Sequence, residues 1–316
     1  MKEKHGVAAS QSSAKWTGKP IKRFGPLARF VLVTAALVLC FSMPLYRLVQ
    51  FAVTAQFHSY IILVPFVSLY LVWLKRQSLP PHSEPVRKLA ALPLVAGTIV
   101  LAGHWLAVHF AVRLTDVDSL ALTTFSFVLF FVGACYLFLG KETLRTMAFP
   151  IGFLVFMVPF PAFLSNWIGA FLQHGSAIAA YGLFRLSGTP VFRHDMEFQL
   201  PGFSMEVAPE CSGIQSSLAL FLTSLLAGHL FLRTPWKRAV LILAVIPLGI
   251  LRNGLRIFTI GQLCVHISPE MIHSNIHVRG GPVFFALSLV PFSLLLVVLH
   301  KSDRVTGKIK PKQTGA

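Results

Sequence analysis

The chain has 316 residues, of which 55% are hydrophobic and only 12% are charged. Soluble domains carry roughly 25% charged residues, so this composition excludes an ordinary soluble protein. With a mean hydropathy of +0.70, it predicts a protein that crosses a membrane several times. The formal net charge of +17 is typical of nucleic-acid binding in a soluble protein. Most of these basic residues flank apolar segments, so we expect no nucleic-acid partner.

Residues 1–29 are polar and basic, and they are predicted to form a cytoplasmic tail. No short apolar core with a small-residue cleavage site follows them, so the first span is predicted to be uncleaved. A membrane-spanning helix needs about 20 mostly apolar residues. The predicted transmembrane domain, 30–300, contains eight such segments. They cover approximately 28–46, 58–74, 89–110, 119–140, 147–163, 211–232, 239–264 and 279–300.

The basic residues are unevenly distributed between the two sides of these spans. The segments 1–29, 75–88, 141–146, 233–238 and 301–316 hold 21 of the 28 Lys and Arg residues. Because Lys and Arg are enriched in cytoplasmic loops, we expect eight crossings of the cytoplasmic membrane with both termini inside. The basic C-terminal tail, 301–316, and the N-terminal tail are then expected to contact membrane lipid.

Two segments depart from a simple helical span. The fifth, MAFPIGFLVFMVPFPAF, is short and rich in proline, which favours a kinked helix. The outer segment that follows, 164–210, begins with a mixed apolar and polar stretch that predicts an interfacial helix, a helix packed on the bundle or a ninth buried segment. Alternation of Met196, Phe198 and Leu200 with polar neighbours then predicts a β-hairpin. The predicted fold is an all-α polytopic membrane protein with a small extracytoplasmic helix and hairpin between spans five and six.

Three residues with reactive side chains are predicted to lie at the same membrane depth. Cys211 begins the sixth span at its outer end, where a helix N-terminus favours thiolate over thiol. Arg256 lies about 27 Å along the seventh span, near its outer end. His277 directly precedes the eighth span. These three groups together suit acyl transfer. The thiolate attacks the carbonyl, the imidazole relays the proton and the guanidinium stabilises the oxyanion.

Residues beside these three are candidates for supporting roles. Arg252 lies one helical turn before Arg256, and an arginine within a span usually marks function or a buried pair. Asn253 allows close helix packing beside it. Glu210 is a candidate partner for an arginine or for the substrate backbone, and the sequence does not decide which arginine faces the thiol. The remaining candidates are Ser212 and Gly213, together with His266, His273 and Arg279 as alternatives to His277.

The sequence contains no pattern typical of a metal or cofactor site. Its four cysteines show neither CxxC spacing nor an accompanying histidine at zinc-ligand spacing. We therefore expect no metal and no cofactor.

Two other function classes remain as alternatives at this point. A transporter would use Arg252 and Arg256 to bind an anionic substrate, but it should show two pseudo-symmetric halves, and the sequence shows none. A non-catalytic membrane component of an exopolysaccharide export system would not depend on Cys211.

The sequence resembles the exosortase and archaeosortase family of membrane-embedded cysteine transpeptidases. The matching stretches are ECSGIQSSLALF, IPLGILRNGLRIF and IHSNIHVRGG, with HSYIILVPFVSLYLVW and FPIGFLVFMVPFPAF earlier in the chain. The resemblance implies that Cys211 is the nucleophile, Arg256 the second catalytic residue and His277 the third.

The same resemblance implies a class of substrate. Family substrates are secreted proteins with a C-terminal sorting tail, made of a short motif such as Pro-Glu-Pro, a hydrophobic span and a basic cluster. Such a tail would dock beside the bundle with its basic end in the cytoplasm and its motif at the outer surface. That is the depth predicted for Cys211, so we expect cleavage through a thioacyl intermediate on the extracytoplasmic side.

Overall fold

The computed structural model describes residues 26–54, 58–78, 86–208, 212–273 and 280–309, so most of the two predicted tails lies outside these ranges. The described residues are mainly helical, because a segment in lipid must satisfy its own backbone hydrogen bonds. Their α-helices are α1 (Pro26–Cys40), α2 (Ser42–Thr54), α3 (Tyr60–Lys75), α4 (Arg87–His109), α5 (Asp116–Phe138), α6 (Lys141–Thr146), α7 (Ala148–Phe153), α8 (Ala162–Leu186), α9 (Ile214–Phe231), α10 (Pro235–Leu243), α11 (Val245–His266) and α12 (Gly281–Ile309).

The lengths and hydropathies of these helices confirm the predicted class, a polytopic all-α membrane protein. Within the described ranges, six segments are long and apolar enough to cross a membrane. They are Tyr60–Ser78, Arg87–His109, Asp116–Phe138, Ile214–Phe231, Pro235–His266 and Gly281–Arg304. Two bent helix pairs raise the number to eight if each pair counts as one span.

The first predicted span, 28–46, is a bent pair rather than one straight helix. The axes of α1 and α2 differ by 69°. Pro44 explains the break, because it has no N–H to donate to the carbonyl of Cys40, and its ring would clash with that carbonyl in a continuous helix. At the bend, Phe41 is buried and packs against Phe127 and Phe130 of α5.

The proline-rich fifth segment bends more sharply. α7 is followed by a 3₁₀ turn, Leu154–Met157, and the axis then turns by 92° into α8. Pro159 and Pro161 occupy the corner, and the backbone N–H of Ala162 donates to the Asp118 carboxylate at 2.9 Å. Asp118 is itself held at the start of α5 by Thr115. The corner therefore fixes the start of α8 against the start of α5.

α8 packs lengthwise against α11 through small residues. A methyl group built on Gly254 would lie 2.7 Å from the Ala179 Cβ, and one on Gly175 would lie 2.9 Å from the Ile250 side chain. Small residues allow two helix backbones to approach closely where lipid supplies no hydrophobic driving force. α8 is thus a helix packed on the bundle, as one of the alternatives for 164–210 predicted.

The predicted hairpin is present and carries a third strand. β1 (Phe192–His194), β2 (Glu197–Leu200) and β3 (Phe203–Glu206) form an antiparallel sheet in chain order. Phe198 and Leu200 of β2 alternate inward, as their spacing predicted, and pack with Phe184 of α8 and Ile257 of α11. The sheet thus covers the second half of the α8–α11 pair.

The last helix, α12, continues nine residues beyond the predicted span end at residue 300. Its Asp303 accepts hydrogen bonds from the backbone N–H and the hydroxyl of Thr234, and from the backbone N–H of Arg233 at 2.6 Å. The same carboxylate pairs with Lys237 at 3.2 Å. These contacts tie α12 to the junction of α9 and α10 and favour the continued helix.

The close approach of α8 and α11 leads to a stability prediction. Gly254→Ala places a methyl group 2.7 Å from the Ala179 Cβ and 3.2 Å from the backbone at Ser176 and Ala180. We expect it to destabilise the fold by about 1–3 kcal/mol, measured as thermal unfolding in detergent. The matched control is Gly182→Ala in α8, where no atom lies within 4 Å. This control should be neutral or stabilising, and equal effects of the two changes would contradict the packing.

Candidate active site

The described ranges include some of the residues that the sequence predicted to form the site. Cys211, Glu210 and His277 lie outside them, as does the alternative Arg279. The described candidates are Ser212, Gly213, Arg252, Asn253 and Arg256. The site is therefore built here from the start of α9, where the chain continues from Cys211, and from the α11 residues beside it.

The start of α9 is a glycine turn. Ser212 is buried, with 3% of its surface exposed, and Gly213 caps α9 with a left-handed φ of +71°. A methyl group on Gly213 would lie 3.0 Å from the Asn253 Cγ and 3.1 Å from the Arg252 Nη2. Both the backbone angle and the lack of space therefore require glycine at this position.

Arg252 holds this turn in place. Its Nη2 donates to the carbonyl oxygen of Gly213 at 3.1 Å and to the Ser217 Oγ at 3.2 Å. The backbone N–H of Ser217 and the Ser216 hydroxyl donate to the same Gly213 carbonyl. Only 7% of the Arg252 surface is exposed, and a charge at such a position needs partners of this kind. Arg252 therefore connects α11 to the first turn of α9.

Arg256 has a different environment from Arg252. It lies one helical turn further along α11, and its side chain is half-buried where that of Arg252 is buried. Asn253, between the two arginines, is buried against the glycine turn. The sequence did not decide which of the two arginines faces the thiol, and the structure shows that they differ in burial.

A cavity of about 410 Å³ lies beside Ser212. This volume is in the range of small-molecule and peptide-side-chain pockets. Its walls come from α8, from the start of α9, from Phe160 at the corner before α8 and from His58 before α3. The lining residues are His58, Phe160, Ser165, Asn166, Gly169, Ala170, Gln173, Ser212, Ile214, Gln215 and Leu218.

The polar groups of this cavity are neutral amides and hydroxyls, apart from one imidazole. The Gln173 side chain donates to the carbonyl oxygen of Val207 at 2.5 Å, which ties α8 to the chain just after β3. Burial lowers the pKa of His58 below its ordinary value of 6.5, so its imidazole is neutral near pH 7. Among the described lining residues there is no Asp, Glu, Lys or Arg. The cavity thus suits an uncharged hydrogen-bonding ligand such as a peptide backbone.

Sequence reasoning missed several of these residues. His58, Asn166 and Gln173 were not among the predicted site residues, although His58 opens one of the stretches that resemble the family. The spacing of Ser165, Gly169 and Gln173, every four residues, does place them on one helical face. Among the described residues, no group of three or more His, Cys, Asp or Glu side chains is placed to hold a metal ion.

The fold and the cavity define a multi-pass helical membrane protein with a neutral polar pocket at the start of one span. The sequence pattern of the transmembrane exosortases matches residues 53–294. The match covers most of the chain and includes α3 to α11, so the chain belongs to the transmembrane exosortase family. No curated protein sequence and no solved structure matches the chain.

The glycine turn gives a second stability prediction. Gly213→Ala forces an L-residue into the left-handed region and a methyl group against Arg252 and Asn253. Gly188→Ala is the matched control, because its φ of +73° is nearly the same and no atom lies within 4 Å. The control should lower the free energy of unfolding by only about 1–2 kcal/mol, which is the cost of the left-handed conformation. Gly213→Ala should lower it by measurably more, as observed by thermal unfolding in detergent. Equal losses would show that the contact with Arg252 does not constrain the turn.

Proposed function

We propose that this exosortase is a cysteine-dependent protease or transpeptidase that cleaves the C-terminal sorting tail of secreted proteins. The observation that carries the proposal is the cavity wall at Ser212, which follows Cys211 directly in the sequence. Family membership supports the same assignment. The nucleophile is Cys211, and the product of its attack on the scissile carbonyl is a thioacyl enzyme.

The described arginines support a division of roles. Arg252 is committed to the carbonyl of Gly213 and to Ser217, so its role is to position the turn that follows Cys211. Arg256, which the resemblance to the family assigns as the second catalytic residue, is the guanidinium proposed to stabilise the oxyanion. The third catalytic residue is His277, which the resemblance to the family assigns, and Glu210 is a candidate for orienting the substrate backbone.

The proposed substrate is a protein tail with a short motif, a hydrophobic span and a basic cluster. Its hydrophobic span would lie against the apolar outer surfaces of the bundle, for example that of α4, where Leu92 and Ile99 are exposed. The peptide backbone of its motif would enter the neutral cavity, where amides and hydroxyls can pair with peptide groups. The excess of Lys and Arg in alternate loops favours cytoplasmic termini and an active site on the extracytoplasmic side of the inner membrane.

The first test is removal of the proposed nucleophile. Cys211→Ala should abolish processing of a tagged reporter that ends in Pro-Glu-Pro, a 20-residue apolar span and an arginine cluster, and the uncleaved reporter should accumulate in the membrane. Cys40→Ala is the matched control, because Cys40 is an exposed thiol of α1 outside the proposed chemistry. Normal processing by Cys211→Ala would refute thiol catalysis and would favour a non-catalytic assembly role.

The second test concerns the side of the membrane. A variant in which Cys40, Cys135 and Cys264 are replaced by alanine retains Cys211 as its one thiol. In intact spheroplasts, a membrane-impermeant maleimide should label this variant from outside, and the same variant with Cys211→Ser should remain unlabelled. Labelling that requires disruption of the membrane would reverse the proposed orientation.

A further inference from the structure

The cavity contains a histidine that the assigned chemistry does not use. His58 lies in the loop between α2 and α3, far in sequence from Ser212 and from the α8 residues that line the same cavity. Its ring packs against Phe51 with the centroids 4.7 Å apart, and against Tyr60 at 6.2 Å. Both ring pairs are tilted, with interplanar angles of 47° and 31°, and neither contact is a hydrogen bond of a ring nitrogen. The fold therefore presents an oriented imidazole to the cavity.

The hydrogen-bonding capacity of this imidazole is not used by the described protein groups. The Nδ1 atom is buried and makes no hydrogen bond within the described residues. A buried polar atom without a partner costs free energy. Since Nδ1 is shielded by the protein, the Nε2 edge is the part of the ring that a ligand in the cavity reaches.

The surroundings of His58 make it the proton-exchanging group of the described cavity. α8 contributes Ser165, Asn166 and Gln173, and α9 contributes Gln215, none of which titrates near neutral pH. From α2 and α3 the ring meets Phe51 and Tyr60. Burial lowers the pKa of His58, so the neutral form, which can accept a proton, predominates at pH 7.

We propose that His58 is a catalytic residue that exchanges protons with the substrate bound in this cavity. This inference rests on the proposed thiol chemistry and assigns its proton transfer to His58 in place of His277. His277, the imidazole that the resemblance assigns, is the alternative source of the same proton transfer, and the two are separated by experiment.

The proposed steps balance as follows. Neutral His58 takes the proton of the Cys211 thiol while sulfur bonds to the scissile carbonyl carbon, whose π electrons move to oxygen. The C–N bond then breaks, the leaving nitrogen takes the proton from His58, and a thioester and a free amine result. An incoming amine, hydroxyl or water gives its proton to His58 as it attacks the thioester. The departing sulfur takes that proton back, and the thiol is restored.

The test uses purified full-length protein in lipid nanodiscs with a synthetic tail substrate that contains Pro-Glu-Pro, an apolar span and an arginine cluster. His58→Phe keeps an aromatic ring against Phe51 and removes both nitrogens, and His58→Gln keeps a polar side chain. General acid–base catalysis contributes about 10²–10⁴-fold. We therefore expect each variant to lower kcat by about 100-fold or more, with KM changed by less than about threefold and unchanged thermal unfolding.

The matched control is His104→Phe. His104 also has a buried Nδ1 without a partner in the described residues, but it pairs with Ser119 and does not line this cavity. We expect its kcat to remain within about twofold of the parent. A loss as large as that of His58→Phe would show that any such histidine is needed for the fold, and would overturn the proposal.

The pH dependence supplies a readout that a purely structural role would not change. Protonation removes the base, so the acylation rate of the parent should fall as the pH drops through the lowered pKa of His58. In His58→Gln, the residual acylation rate should no longer show this decrease at acidic pH. An unchanged decrease in that variant, or kcat of His58→Phe within about threefold of the parent, would overturn the proposal.

Two further variants distinguish failure of this inference from failure of the proposed function. If Cys211→Ala is inactive and His277→Gln, but neither His58 variant, loses kcat, the thiol chemistry stands and the assignment to His58 is wrong. If Cys211→Ala processes the substrate at the parent rate, the proposed function fails and the inference fails with it. If a His58 variant unfolds, the proposal is tested in the parent protein by measuring the rate at which iodoacetamide alkylates Cys211 as a function of pH. If this rate shows no inflection below pH 6.5, a neutral imidazole is not the proton acceptor and the proposal is overturned.

Discussion

The hydrogen bond from the Arg252 guanidinium to the Gly213 carbonyl holds the first turn of α9 against α11. A buried cation must find acceptors, and Arg252 finds them in the first turn of α9. α11 is in turn held against α8 through Gly254 and Gly175, where the helix backbones lie too close for larger side chains. α8 and the start of α9 form most of the cavity wall, and α11 contacts both of them.

The chemistry of the cavity contrasts with the charge of the rest of the chain. The formal net charge is +17, yet the described lining residues are neutral at pH 7. Charge near an imidazole such as that of His58 would shift its ionisation equilibrium. A wall of amides and hydroxyls instead offers hydrogen bonds to a peptide without favouring either charge state. Most of the basic residues lie in loops and tails of the sequence, whereas none lines the described part of the cavity.

The features that the sequence predicted were those that depend on local patterns. The apolar runs predicted the membrane-spanning segments, and the alternation at Phe198 and Leu200 predicted which face of β2 points inward. The 69° bend was missed because a single proline, Pro44, decides it within an otherwise uniform apolar run. The role of Arg252 could not be separated from that of Arg256, because their spacing makes them equivalent until the partner helix is known. His58 was missed because it reaches the cavity only by tertiary packing, from a loop more than 100 residues before Ser212.

The combined length of α10 and α11 exceeds what a bilayer requires. The continuous segment Pro235–His266 has 32 residues, or about 48 Å at 1.5 Å per residue, whereas the hydrocarbon layer is about 30 Å thick. Such a segment fits the layer by tilting or by extending beyond it. α8 and the sheet cover the second half of α11, so protein surrounds that half on the covered side. Hydrophobic mismatch would therefore act on this helix through the elements packed on it as well as through the lipid.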